Sequence, residues 1–149
     1  MQSDPHVLPR SKVAVIACTK AKRRTAAPAI QLYDRSELFR LCVATATSDS
    51  LPVLVLSSKY GLVEPDAVLD TYEVDLAKLT PSERSTWQAL VDRQAQALIP
   101  GRGFKEVTCL AGKEYRQAMH AACAALGVRV VTHPRWRALC DQAFGRSEG

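Results

Sequence analysis

No run of apolar residues in this chain approaches the ~18 that a membrane-crossing helix needs, so no membrane association is expected. The opening MQSDPHVLPRSK lacks the apolar centre of an export signal, which points to a cytoplasmic location. The cysteines, Cys18, Cys42, Cys109, Cys123 and Cys140, are odd in number and form no C-x-x-C pair. That argues against a disulfide framework, a zinc knuckle or a redox dithiol. Histidine is scarce, at positions 6, 120 and 133 alone. Without paired histidines or a dense carboxylate motif, neither a metal nor a cofactor is expected. Nucleotide fingerprints are missing too: there is no G-x-G-x-x-G, and Val107 stands where a phosphate loop ending in Gly112-Lys113 would need glycine. The absence of G-x-S-x-G removes the hydrolase nucleophile elbow.

What is present is a chain of 149 residues, 47% hydrophobic and 23% charged, enough for one domain with its own core. Residues 1–11, with two prolines, read as a flexible arm, and 12–149 as a single domain. The net charge of +5 favours anionic partners: a nucleotide, a nucleobase or nucleic acid. Much of it is local, in Lys20, Lys22, Arg23 and Arg24. Nothing in the pattern speaks to oligomeric state.

The run KVAVIAC is continuously apolar after its lysine and rich in β-branched residues, as in a strand covered on both faces. Asp34 and Glu37 read as a capping box opening a helix over roughly 34–48, with Leu38, Leu41, Cys42, Thr45 and Ala46 on one stripe. LPVLVLSSKYG is a second buried strand. Residues 61–80 show no sustained period, and a loop of that length is usually functional. Thr80-Pro81-Ser82-Glu83 marks a helix start, and Pro100-Gly101 its stop. KEVTCLAG is a third strand, leading to a helix from Lys113 to Leu126 that Gly127 ends. VRVVT is a fourth, closed by His133-Pro134, with a short helix at 135–144 packing Trp136, Leu139 and Phe144. This order predicts an α/β, three-layer domain on a four-stranded, mainly parallel sheet.

Ligands of such sheets bind beyond the carboxyl ends of the strands, and here those ends are the chemically richest places. Strand one ends at Cys18 and Lys22, strand two at Ser57, Ser58, Lys59, Tyr60 and Gly61, and strand three at Gly112, Lys113 and Tyr115. A lysine attacks only when neutral, a state that neighbouring cations and partial burial promote. Lys22 has Lys20, Arg23, Arg24 and Lys59 to supply the crowding; its other reading is a solvated basic loop. Cys18 is either a thiolate favoured by those cations or a buried structural thiol. Ser57 and Ser58 lack an evident base, and His133 reads as a turn residue. Lys59 and the Gly112-Lys113 helix start suit a phosphate. Tyr33, Tyr60, Tyr72 and Tyr115 each offer a flat face and a hydroxyl to a base, or else belong to the core. Glu64, Asp66, Asp70 and Asp75 are the acids of the long loop, with Glu64 nearest the Ser-Ser-Lys-Tyr-Gly block.

The segments VAVIACTKAKRRTAAPAIQLYDRSELFR, LVLSSKYGLVEPDAVLDTYEV and LAGKEYRQAM together resemble an uncharacterised family of short bacterial and phage proteins, the DUF6884 type. The likeness spans about residues 12–132, and Ser-x-Lys-Tyr-Gly-Leu is its most specific block. More distantly, Cys18-x-x-x-Lys22 is similar to a segment of the archaeosine synthase catalytic domain, whose lysine bonds covalently to a deazaguanine in transfer RNA. Here Arg23-Arg24 replaces that family's Pro-Tyr. That domain and the YaaA proteins imply an α/β framework akin to uracil-DNA glycosylases, Rossmann-like in build. The glycosylases' Gly-Gln-Asp-Pro-Tyr motif is absent, so uracil excision is not implied. The resemblance implies a nucleobase or nucleotide substrate, a reaction at the glycosidic bond or an exocyclic group, and Lys22 as nucleophile or electrostatic catalyst. The alternative is a non-catalytic nucleic-acid-binding protein.

Overall fold

The structure, a computed structural model, describes residues 11–145. Nearly all of the expected arm therefore lies outside the described residues, as does His6. Within them the chain forms β1 (Lys12–Ala17), β2 (Ala27–Pro28), α1 (Ala29–Leu32), α2 (Glu37–Ser48), β3 (Val53–Ser57), β4 (Gly61–Val63) and β5 (Val68–Leu69). Then come α3 (Pro81–Leu98), β6 (Glu106–Leu110), α4 (Lys113–Cys123), β7 (Arg129–Thr132) and α5 (Trp136–Phe144). No helix among the described residues is long and apolar enough to cross a membrane.

The main sheet has the order β4-β3-β1-β6-β7. β1, β3, β6 and β7 are parallel, as their apolar runs and intervening helices require. The sheet nevertheless has five strands where four were expected. The chain turns back after Tyr60, and Gly61–Val63 pairs antiparallel with β3, Ser57 opposite Gly61. Three residues carry no readable period, so this strand is invisible to pattern. The stretch 61–80 is likewise not one continuous loop. Val68–Leu69 pairs with Ala27–Pro28 in a second, two-stranded sheet, and Leu76–Lys78 is a 3-10 turn.

Alternation along the strands sends side chains to two separate cores. Val13, Val15, Leu54 and Leu56 face α3 and α4, meeting Trp87, Val91 and Met119. Ala14, Ile16, Val55 and Leu110 face the other way, toward Leu32, Phe39, Cys42 and Leu139 of α1, α2 and α5. Three layers result, with both faces of the sheet buried.

Helix ends show which local signals held. Thr80 caps α3 reciprocally: its hydroxyl accepts from Glu83 N at 3.1 Å, and Glu83 Oε1 accepts from Thr80 N at 2.9 Å. α2 departs from expectation. Ser36, not Asp34, is its cap, accepting from Phe39 N at 3.2 Å, because Asp34 is engaged by Arg23. α4 stops at Cys123, before the expected Leu126, and Gly127 takes the left-handed conformation, φ +67°. Phe144 does not pack as expected but is 66% exposed. His133 is buried. Its Nδ1 accepts from Arg135 N, so Nε2 carries the proton and donates to Asp49 Oδ2 at 2.7 Å, linking the end of α2 to the start of α5.

Gly61 is a structural glycine. Its φ is +75°, and a Cβ there would lie 2.2 Å from Gln94 Oε1. Gln94 cannot easily yield, since Oε1 accepts from Leu62 N and Nε2 donates to Tyr60 O. Gly61→Ala is expected to lower stability by about 1–3 kcal/mol, from strain and the displaced amide together. Urea unfolding checks this, with Gly103→Ala as comparison, since that glycine has positive φ but open space around it.

Candidate functional site

The carboxyl ends of β1 and β3 open on a cleft of about 550 Å³. One wall is Cys18, Lys20 and Lys22 after β1; Ser58, after β3, and Tyr115, in the first turn of α4, complete the base. The segment 73–79 forms the far wall and brings Glu73, Asp75 and Lys78 to it. Cations and carboxylates therefore face each other across a partly apolar floor.

Cys18 is half-buried. Its Sγ accepts from Ser58 N at 3.3 Å and lies 3.4 Å from the Tyr115 hydroxyl. The thiol is thus neither sealed in the core nor loose in solvent. Tyr115 packs edge-on to Trp87, centroids 6.3 Å apart. Burial and the neighbouring Cys18 push its pKa upward, so the ring keeps its proton as a donor. Lys22 is half-buried. Its Nζ donates to the Lys20 carbonyl at 2.8 Å and stands 4.8 Å from the centre of the Tyr72 ring. Both are contacts that suit a cation.

Beneath Lys22 runs a buried chain of hydroxyls. Tyr33 and Tyr72 are 2.6 Å apart at their hydroxyl oxygens, and Tyr72 is 2.8 Å from Ser57 Oγ. Ser57 Oγ also accepts from Lys59 N and Tyr60 N, closing the turn that follows β3. Ser58 Oγ donates to Val74 O at 2.7 Å, tying the far wall to the same turn. Burial pushes Tyr33 up to about 12, and Tyr72 up as well. Tyr33, Ser57 and Tyr72 therefore lie beneath the cleft without lining it, and the Tyr72 ring meets a cleft residue in Lys22.

Several expected site residues lie elsewhere. Lys59 is exposed, 5.2 Å from the ring of its neighbour Tyr60, and does not line the cleft. Tyr60 is also outside it, edge-on to Tyr72, its hydroxyl donating to Asp70 O. The reversal at Gly61 turns both away. Glu64 pairs with Arg102 at 2.9 Å, and that guanidinium holds its carboxyl below the usual range. Gly112 lines a separate apolar recess, and Lys113 is exposed outside both hollows. Arg23 is committed to Asp34 through paired hydrogen bonds. Conversely, Glu73 and Lys78 were not singled out from the sequence. The one local signal was Asp75, whose carboxylate caps the 3-10 turn by accepting from Ala77 N at 3.0 Å. Among the described residues no group of three or more His, Cys, Asp or Glu is placed to hold a metal ion.

The chain belongs to a family of unknown function, DUF6884, whose model matches residues 13–135. Among curated proteins none matches it. Among solved structures, it is similar to the crystal structure of AF0587, a protein of unknown function, at 14% identity and a TM-score of 0.49. That likeness covers 92% of this chain and 45% of the other, so this chain spans less than half that protein's length.

Two outcomes follow from the hydroxyl chain and the buried thiols. Tyr72→Phe removes the hydroxyl shared by Tyr33 and Ser57, and is expected to cost about 1–2 kcal/mol by urea unfolding. Tyr33, Cys42 and Cys109 are all raised to about 12, from ordinary values of 10, 9 and 9. Unfolding returns them to those values, so the unfolded chain sheds protons first and stability declines as pH climbs from about 9 to 12. Below pH 9 these groups leave the urea midpoint level; a midpoint still level at pH 11 would contradict the burial assigned to them.

Proposed function

We propose that this member of the DUF6884 family is an enzyme that processes a nucleobase or nucleotide, acting at the glycosidic bond or at an exocyclic group. The observation that carries the reading is Lys22, fixed at the mouth of the cleft by the Lys20 carbonyl and the Tyr72 ring, with Tyr115 and Cys18 lining the same cleft. A nucleophilic amine must present a lone pair. Nζ here donates and faces a ring, which favours the electrostatic role over the nucleophilic one. Lys22 then stabilises negative charge building on a departing base or on phosphate, and Tyr115 offers a flat face and a proton donor. In the glycosidic reaction the C1′–N bond breaks with its electron pair on the base. Water supplies hydroxide to C1′ and a proton to the base, and in this reading Glu73 or Asp75, both of which line the cleft, receives the water's proton on its way. The similarity of Cys18-x-x-x-Lys22 to the archaeosine synthase segment supports the substrate class, and the glycosylase-like framework it implies belongs to this proposal.

The non-catalytic alternative, a polyanion-binding surface, loses one of its four clustered cations to the Arg23–Asp34 pair. The discriminating experiment incubates the protein with nucleosides, nucleotides, transfer RNA and DNA carrying modified bases, and detects released or altered base by mass spectrometry. Turnover is expected to fall roughly a hundredfold or more in Lys22→Ala and to be partly kept in Lys22→Arg, with no borohydride-trapped adduct. A trapped adduct on Lys22 would replace the electrostatic role by covalent catalysis. Absence of turnover, together with salt-steep binding to any polyanion that Lys22→Arg leaves unchanged, would establish the binding protein instead.

A further inference from the structure

A second recess opens beside the end of β1, on the α2 and α5 side of the sheet. Phe39, Leu110, Trp136, Cys140 and Phe144 line it, and it measures about 200 Å³. Cys18, Thr19 and Tyr115 line both this recess and the charged cleft, so the two hollows share one partition.

Their chemistry is opposite. The cleft presents lysines and carboxylates, whereas the recess is walled mainly by rings, aliphatic groups and thiols. A nucleobase carries hydrogen-bonding groups around its edge, and burying it in such a recess would leave them without partners. An apolar group gains from the same burial. Apolar cavities of roughly 150 Å³ take up benzene, so this recess suits one ring or a short branched chain. Phe144 adds a second sign. Its ring is 66% exposed at the end of α5, yet it lines the recess, where a ligand would cover it.

We infer that the apolar recess holds an alkyl or aryl substituent of the substrate, about one ring in size, while the base and its anionic part occupy the charged cleft across the Cys18–Tyr115 partition. The inference rests on the nucleobase reading and narrows it to bases that carry an apolar appendage.

Calorimetry on the full chain tests it with two pairs of probes: adenosine monophosphate with and without a benzyl group on its exocyclic amine, and benzyl phosphate against inorganic phosphate. The benzylated nucleotide is expected to bind about tenfold tighter or more. Phe144→Ala, at an exposed position, should reduce that preference about threefold. Cys140→Phe fills the recess and should erase it, leaving adenosine monophosphate unaffected; a thermal melt verifies that this variant folds. Equal affinity of the wild-type protein for both nucleotides overturns the inference and leaves the nucleobase reading standing. If neither nucleotide binds but benzyl phosphate outcompetes phosphate in a Cys140-dependent way, the recess assignment holds and the nucleobase reading falls. If none of the four binds, both fall.

Discussion

The Ser57 hydroxyl is buried where β3 ends, and a hydroxyl in that position left unbonded costs about 1–3 kcal/mol. It is fully engaged. Two backbone N–H groups of the following turn donate to it, and the Tyr72 hydroxyl bonds it from the long segment between β4 and α3. Tyr72 in turn reaches Tyr33, which follows α1. Three parts of the chain remote in sequence are thereby locked at one sheet edge. The same edge is also held through the Ser57 carbonyl, which accepts from the indole of Trp87 on α3. Low surrounding polarity strengthens each of these bonds and makes the loss of one felt by the others.

This buried floor sets what the site can do. Because Tyr72 is immobilised from below, its ring offers a fixed face to Lys22. The Ser58 link to Val74 then sets the far wall, carrying Glu73 and Asp75, at its distance from Cys18. Cys18 and Ser58 hang from strand ends and the acids of the cleft from the 73–79 segment tied to them, while the cations outside it are either paired, as Arg23 is, or exposed, as Lys59 is. Position relative to the hydroxyl chain, more than charge itself, separates cleft residues from surface residues.

Much of the architecture could be read from pattern. Three of the four parallel strands, β1, β3 and β6, announce themselves by nearly continuous apolar runs, because a strand buried on both faces tolerates little polar alternation, while the edge strand β7 is read from its Val-Val pair. α3 was legible through Thr80, Pro81 and Glu83, since a capping box is a purely local geometry. The cap of α2 was not. Asp34 and Ser36 both suit an N-cap chemically, and only the arrival of Arg23 removed Asp34 from the contest. Strands β2, β4 and β5 escaped because two or three residues cannot display a period.

For the site, local sequence determined which residue types stand at the strand ends: the thiol at 18, the amines at 20 and 22, the serines at 57 and 58, the ring at 115. Chain composition could go no further, because side-chain direction beyond a strand end depends on the turn that follows. Tertiary structure decided that Lys22 enters the cleft and Lys59 does not, the reversal at Gly61 having turned the latter outward. It also brought Cys18 within 3.4 Å of a hydroxyl 97 residues away, a contact between separately encoded segments that no local spacing can announce. The physical reason is one of range. Backbone periodicity and capping are settled within a few residues, whereas the contacts that shape a cleft form only when the sheet has set its strands side by side.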